Sequence, residues 1–383
     1  MPKSAVDSLS LMSIREAPVA PVGGGTADRS PTYLLPPEAY LSQAWFDREQ
    51  DTLFAGGWNL VATTEQFAEA GDYLAVSVGR YPLVVVRDGD GSLHAFHNLC
   101  RHRGMVLVTG SGNVGSTINC FYHQWRYRLD GSLAVVPQRR EQFPDMQIEE
   151  WGLIPASLEV WEGMVFVNPD AGARTLAEAM AGLADFMGSH RPGMLVEVAS
   201  VQLDIRCNWK LFVENHVDIY HLWYLHKTTL GDLDHTRFSH QQTGGNWASY
   251  EPLRDPDPAA VALSEGITPI AHLDERDRRG VGAHLIFPNH MIASSASFFA
   301  TYVAVPVAPD RTVLHLRIRA EAGTAPDVAL AAARAFIDED IHACEQVQMG
   351  MGSPRFTVGP LARDHELPVT RFQTSVLATM GPA

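Results

Sequence analysis

Two short segments each pair one cysteine with one histidine: Cys100-x-His102 and, 17 residues later, Cys120-x-x-His123. Four metal-binding side chains this close in sequence require two loops to face each other around a shared inorganic group. Two groups compete for them. A structural zinc takes two thiolates and two imidazoles, but its usual spacing keeps Cys with Cys and His with His. A [2Fe–2S] cluster with two imidazoles on one iron uses the same four side chains. A mixed pair on each loop suits it, because one loop then reaches both irons. Arg101, Arg103 and Gly104 flank the first pair, and Gln124, Trp125 and Tyr127 follow the second. These offer backbone amides and ring edges near the sulfurs, which tune such clusters.

A second constellation lies in Glu214-Asn215-His216-Val217-Asp218-Ile219-Tyr220-His221 and the residues to His226. Its histidines, 216, 221 and 226, recur in steps of five. On a straight α-helix such neighbours point roughly 140° apart. Two ligands of one metal must converge, so the helix must bulge or end between them. Two histidines and one carboxylate on an open face suit an oxygen-activating ferrous iron. Asp338, Glu339 and Asp340, on a later helix, offer the carboxylate. At about 100° per residue, Asp340 shares a face with Phe336, Ile337, Cys344 and Val347. An acid on an apolar stripe is costly unless paired or metal-bound. Asp340 is therefore the expected ligand, and Asp338 and Glu339 read as solvated charge.

Asn98-Leu99-Cys100-Arg101-His102-Arg103-Gly104 and Cys120-Phe121-Tyr122-His123-Gln124-Trp125 resemble the two loops of the Rieske family. Asn208-Trp209-Lys210 and the segment from Glu214 to His226 are similar to the catalytic domain of Rieske oxygenase α subunits. The resemblance covers about residues 35–375. It implies Cys100, His102, Cys120 and His123 as ligands of the [2Fe–2S] cluster, and His221, His226 and the acid of Glu339-Asp340 as ligands of a mononuclear Fe(II), where periodicity favours Asp340. It makes His216 a non-ligand. It implies that Asp218 bridges His123 of a neighbouring subunit to His221, in a homotrimer. Asp218 stands four residues after Glu214. Naphthalene-type dioxygenases place one more residue there, so the spacing is closer to monooxygenases acting on choline, carnitine or betaines. Those often carry Glu where Asp218 stands.

The expected function is that of a terminal oxygenase. It would use O2 to hydroxylate or oxidatively demethylate a small organic molecule. Ring cis-dihydroxylation is the rival, and a pure electron carrier or redox sensor is the alternative of another class. With no Gly-rich dinucleotide fingerprint and no plant-type ferredoxin cysteine pattern, the chain is expected to bind neither flavin nor nicotinamide. A separate reductase, with or without a ferredoxin, must then supply electrons.

The strand-like runs Tyr73–Val78, Pro82–Arg87 and Leu93–Phe96, with the turn Asp88-Gly89-Asp90-Gly91, place the first constellation in a small, mostly β domain over 49–168. Residues 1–48 read as a flexible tail followed by a helix that packs on the catalytic domain, with helical spacing from Tyr40 to Trp58. Residues 169–383 read as the catalytic domain. Helix is predicted over Thr175–Met187 and Asn208–His226, and strand over Val196–Arg206. A long helix follows, capped by Thr324 with Pro326 in its first turn. The fold class is α+β: the small β domain beside an antiparallel sheet covered by helices, of helix-grip type.

The formal charge of −15 argues against nucleic-acid binding. No apolar run approaches a membrane span. Four cysteines are too few for a disulfide scaffold, so a reducing cytoplasm is the expected compartment. Cys207 and Cys344 read as packing residues. Tyr220, Trp223, Tyr224, Phe298, Phe299 and Tyr302 are candidates to line the pocket, with an aromatic cage for a quaternary ammonium as one use.

Overall fold

The computed structural model describes residues 33–254 and 267–381. The tail expected over Met1–Arg29 lies outside the described residues. Valine-rich runs form a first sheet of seven antiparallel strands: β1 (Asn59–Thr63), β2 (Asp72–Val78), β3 (Tyr81–Arg87), β4 (Leu93–His97), β5 (Ser111–Asn113), β9 (Pro155–Trp161) and β10 (Met164–Asn168). Between β5 and β9, a three-stranded sheet is made by β6 (Thr117–Asn119), β7 (Arg126–Arg128) and β8 (Leu133–Val135). The two Cys–His loops extend from these sheets, one after β4 and the other between β6 and β7. The Asp88–Gly91 turn joins β3 to β4, with Gly91 at φ +92° where a side chain would be strained.

The second sheet is a curled antiparallel meander in the order β11-β17-β16-β15-β14-β13-β12. Its strands are β11 (Val196–Ile205), β12 (Ser239–Thr243), β13 (Asn246–Pro252), β14 (Gly280–Ile286), β15 (His290–Ser294), β16 (Phe299–Ala308) and β17 (Arg311–Ala320). Helices α2 (Trp209–Val217) and α3 (Pro326–Met351) pack on it, and α1 (Gln43–Glu49) and α4 (Leu367–Met380) hydrogen-bond to α2. The architecture is α+β, as the sequence predicts. Among the described residues, no helix is long and apolar enough to cross a membrane.

Burial explains why α2 is placed where it is. Trp209 and Lys210 are fully buried, and both reach Glu49 at the end of α1: the indole Nε1 donates to Oε2 at 2.8 Å, and the ammonium pairs with Oε1. Glu214 accepts from the hydroxyls of Tyr33 and Tyr40, each at 2.6 Å, and from Gln373 of α4 at 3.0 Å. A buried carboxylate is tolerated only with such partners.

Several expectations need correction. The helix expected over Thr175–Met187 breaks into Leu176–Met180 and Leu183–Phe186, because Ala181 and Gly182 take left-handed backbone. Thr324 does not cap α3. The N-cap is Ala325, and the Thr324 hydroxyl is buried without a partner among the described residues. Val347, placed on the apolar stripe by periodicity, is 45% exposed. The helix from Asn208 ends at Val217; a single 3-10 turn, Tyr220–Trp223, then carries His221. Asn208 caps α2, its side chain accepting from Lys210 N–H at 3.1 Å.

Candidate metal centres

The two Cys–His loops are built alike. Cys100 N–H donates to Met105 O (2.8 Å) and Gly104 N–H to Cys100 O (2.9 Å). In the second loop, Cys120 N–H donates to Trp125 O (2.8 Å) and Gln124 N–H to Cys120 O (3.0 Å). The residue four after each cysteine takes positive φ: +71° at Gly104 and +58° at Gln124. The same tight turn thus closes both loops.

The rings of His102 and His123 meet with their Nδ1 atoms 3.1 Å apart, and His102 stacks on Trp125 at 5.0 Å. Cys100 and Cys120 are buried and lie within interaction range of each other. Burial pushes the Cys100 thiol up, although the Tyr127 hydroxyl, 3.4 Å from Sγ, opposes that shift. Tyr127 also accepts from Arg101 N–H at 2.9 Å. A single zinc would need all four ligand atoms within roughly 4 Å of one another. Among the described residues only His221, His226 and Asp340 bring three ligand atoms within 4.8 Å. In the loops, thiol meets thiol and imidazole meets imidazole. That pairing suits two irons, one on sulfur and one on nitrogen.

The second site forms where α2 ends. Its C-cap, Asp218, turns the chain, and Oδ1 accepts from Tyr220 N–H at 2.6 Å. His221 and His226 then face each other with ring centroids 5.0 Å apart. Asp340 projects from the buried stripe of α3. Its Oδ1 lies 3.6 Å from His221 Nε2 and 3.0 Å from His226 Nε2. Oδ1 is buried, and neither contact has hydrogen-bond geometry among the described residues. Three donor atoms that converge without bonding one another fit a cation among them. Burial lowers the His226 pKa, but the carboxylates of Asp340 and Glu339 outweigh it and hold it above the ordinary range. The site thus favours positive charge. Residues and chemistry fit a ferrous ion.

His216 stays apart from this trio. Its Nε2 donates to the His284 carbonyl at 3.0 Å, and burial depresses its pKa to about 4. Asp218 is partly exposed, with Oδ2 at 3.4 Å from His221 Nδ1. Asp338 is an exposed partner of Arg334. Glu339, expected to be plain solvated charge, instead reaches His226 Nδ1 at 2.7 Å. Thr229 Oγ1 donates to the same Glu339 oxygen at 2.7 Å. No periodic signal marks Glu339, because its partner lies 113 residues away in the chain.

A cavity of about 200 Å³ opens beside the trio. Phe298 and Tyr302 line it as expected, joined by Phe212, Phe238, Trp247 and Phe336. The other expected aromatics do not. Tyr220 and Tyr224 are exposed, Trp223 packs on His235 and His365, and Phe299 is buried in a separate core cluster. The Tyr302 hydroxyl has no partner among the described residues. Glu251, paired with His235, contributes an acid to the lining, and no described lining residue is Lys or Arg. Cys207 and Cys344 are buried.

Residues 57–156 match the family described as "Rieske [2Fe-2S] domain", and residues 193–381 match "Ring hydroxylating alpha subunit (catalytic domain)". The chain is 28% identical over 347 residues to chloroplastic choline monooxygenase of Beta vulgaris, covering 85% of this chain and 72% of that protein. It is 30% identical over 252 residues to the carnitine monooxygenase oxygenase subunit of Escherichia coli K12, covering 64% of this chain and 66% of that one. A solved quaternary ammonium Rieske monooxygenase superposes with a TM-score of 0.73 at 25% identity, over 88% of this chain and 93% of that one. Naphthalene 1,2-dioxygenase shares the fold, with a TM-score of 0.71 at 20% identity over 90% of this chain and 91% of that one.

Proposed function

The chain belongs to the Rieske non-haem iron oxygenases, as an α subunit with a Rieske [2Fe–2S] domain and a ring-hydroxylating catalytic domain, and on that premise we propose a terminal monooxygenase acting on a small amine or ammonium compound. The observation that carries this reading is the convergence of His221, His226 and Asp340 beside a largely apolar cavity. In this reading His221, His226 and Asp340 hold the mononuclear iron, and Cys100, Cys120, His102 and His123 hold the cluster. When bound, the cluster would supply electrons and the iron would supply the place where O2 is activated. A separate reductase, with or without a ferredoxin, feeds the cluster.

The cavity residues select the substrate. Trp247, Phe298 and Tyr302 line the cavity with aromatic rings, and Glu251, held by His235, adds a carboxyl, a lining that suits a cation. With no Lys or Arg among the described lining residues, a substrate carboxylate would find no countercharge. Choline-like substrates are therefore favoured over carnitine-like ones. The reaction would be hydroxylation at carbon or oxidative removal of an N- or O-methyl group.

Asp218 links the two centres across copies. It stands between His221 and the surface, with Tyr220 and Tyr224 exposed close by in the chain. At the cluster, Phe121 is 81% exposed and Tyr122 55% exposed, next to His123. Two such apolar patches on one chain suit a heterologous contact that closes into a ring. A homotrimer would then carry electrons from one copy's His123 through Asp218 to the next copy's His221.

A second reading, cis-dihydroxylation of an aromatic ring, is favoured by the phenylalanine-rich lining. The test is O2 consumption by the anaerobically reconstituted protein with a reductase, using labelled O2 and choline, carnitine or biphenyl. Choline-dependent uptake with one labelled oxygen in the product is expected. Two labelled oxygens in a biphenyl diol would replace this reading with the second. Absence of mononuclear iron after reconstitution would sink both.

A further inference from the structure

His221 and His226 are not held alike. His221 Nδ1 makes no hydrogen bond among the described residues, and Asp218 is 3.4 Å away. The His226 side chain is only 2% exposed, and its Nδ1 lies 2.7 Å from Glu339 Oε2. Thr229, one turn beyond His226, donates its hydroxyl to that same oxygen at 2.7 Å. Glu339 is therefore fixed from a second direction, and it can only accept when ionised. A proton on His226 Nδ1 leaves Nε2, the nitrogen that faces Asp340, free to bind a metal.

We propose that Glu339, braced by Thr229, is the positioning residue of the mononuclear site: it fixes the His226 ring and its tautomer, and so sets how tightly the metal is held. This rests on the reading of His226 as an iron ligand. The physical reason is that a ligating imidazole gains orientation and basicity when its other N–H is donated to a carboxylate. It follows that His226 is the anchored imidazole of the site and His221 the more mobile one. Asp340 and Glu339 are consecutive on α3, so the segment that supplies one ligand also orients another.

The test uses full-length protein with its cluster loaded and measures Co(II) affinity by chelator competition, with the visible band of bound Co(II) as the geometric readout. Glu339→Ala should weaken binding by roughly 10–100-fold, the usual cost of losing such a partner, and should alter the band. Glu339→Gln keeps an acceptor and should restore most of the affinity. Thr229→Val should weaken binding more mildly, which keeps the test available if Glu339→Ala folds poorly. Asp338→Asn, one residue away, should change nothing. Wild-type affinity and an unchanged band in Glu339→Ala would overturn the proposal. So would a Glu339→Gln protein as weak as Glu339→Ala. His226→Ala and Asp340→Asn separate the premise from the inference: if these bind Co(II) normally, the site itself is misread. If they fail while Glu339→Ala binds normally, only the role of Glu339 falls.

Discussion

His226 lies between two consecutive carboxylates: Glu339 meets its Nδ1 at 2.7 Å, and Asp340 Oδ1 lies 3.0 Å from its Nε2. The face of the imidazole toward Glu339 is saturated, and the other is left for a metal. Asp340→Asn keeps the shape of the side chain but removes the charge that offsets a cation. Iron analysis should find the mononuclear iron lost and the two cluster irons retained, with the cluster's visible spectrum unchanged.

Asp218→Asn should leave both iron contents intact while slowing turnover, because the amide keeps the shape of the side chain but removes the charge beside His221 Nδ1. Rapid mixing of the reduced protein with O2 and choline should show cluster reoxidation slowed by the same factor. Unchanged reoxidation would remove Asp218 from the electron route.

The Tyr127 hydroxyl accepts from Arg101 N–H and lies 3.4 Å from the Cys100 sulfur, where it can donate to a thiolate. A hydrogen bond to sulfur stabilises the more negative, reduced cluster. Tyr127→Phe should therefore lower the reduction potential, read by redox titration of the cluster's EPR signal.

Buried histidines set an acid limit on stability. Burial, followed by the charge of His216, depresses the His290 pKa from 6.5 to about 3, and neither of its ring nitrogens has a partner among the described residues. Its folded-state pKa lies below its unfolded one. The stabilisation is thus full above about pH 6.5 and is lost as pH falls toward 3. The loss should be on the order of 3–5 kcal/mol. Urea unfolding at a series of pH values should show a flatter acid limb for His290→Leu than for the parent.

Lys210 and Glu49 form a pair whose side chains are both 0% exposed. Removing one partner strands a buried charge, so Lys210→Met should cost about 3–5 kcal/mol. Glu49→Leu combined with Lys210→Met should recover much of it, measured as a double-mutant cycle by denaturant unfolding.

The features legible in sequence were those with local geometry. The Cys–His loops declare themselves because each ligand pair sits on one tight turn. The five-residue steps through His216, His221 and His226 require a helix to bulge or end; α2 ends at Val217, between the first two, and a 3-10 turn, Tyr220–Trp223, follows. Asp340 stood out as an acid on the buried stripe of α3. Glu339 did not, because its contact depends on where His226 lies in space. The pocket was only half legible: Phe298 and Tyr302 line it, but Trp247 and Glu251 come from β13, whose facing residues depend on the curl of the sheet. Tyr220 and Tyr224 were misjudged because the turn after Asp218 leaves them at the surface.

Glu214 sits at the centre of α2, and its three partners are separated from it by 181, 174 and 159 residues of chain. The unit that could be exchanged between relatives is therefore discontinuous. A chimera that moves the catalytic half without Tyr33, Tyr40 and Gln373 would strand a buried acid inside the helix that leads to His221 and His226. Recombination breakpoints should be tolerated between the β domain and β11, but only when both outlying segments travel with α2.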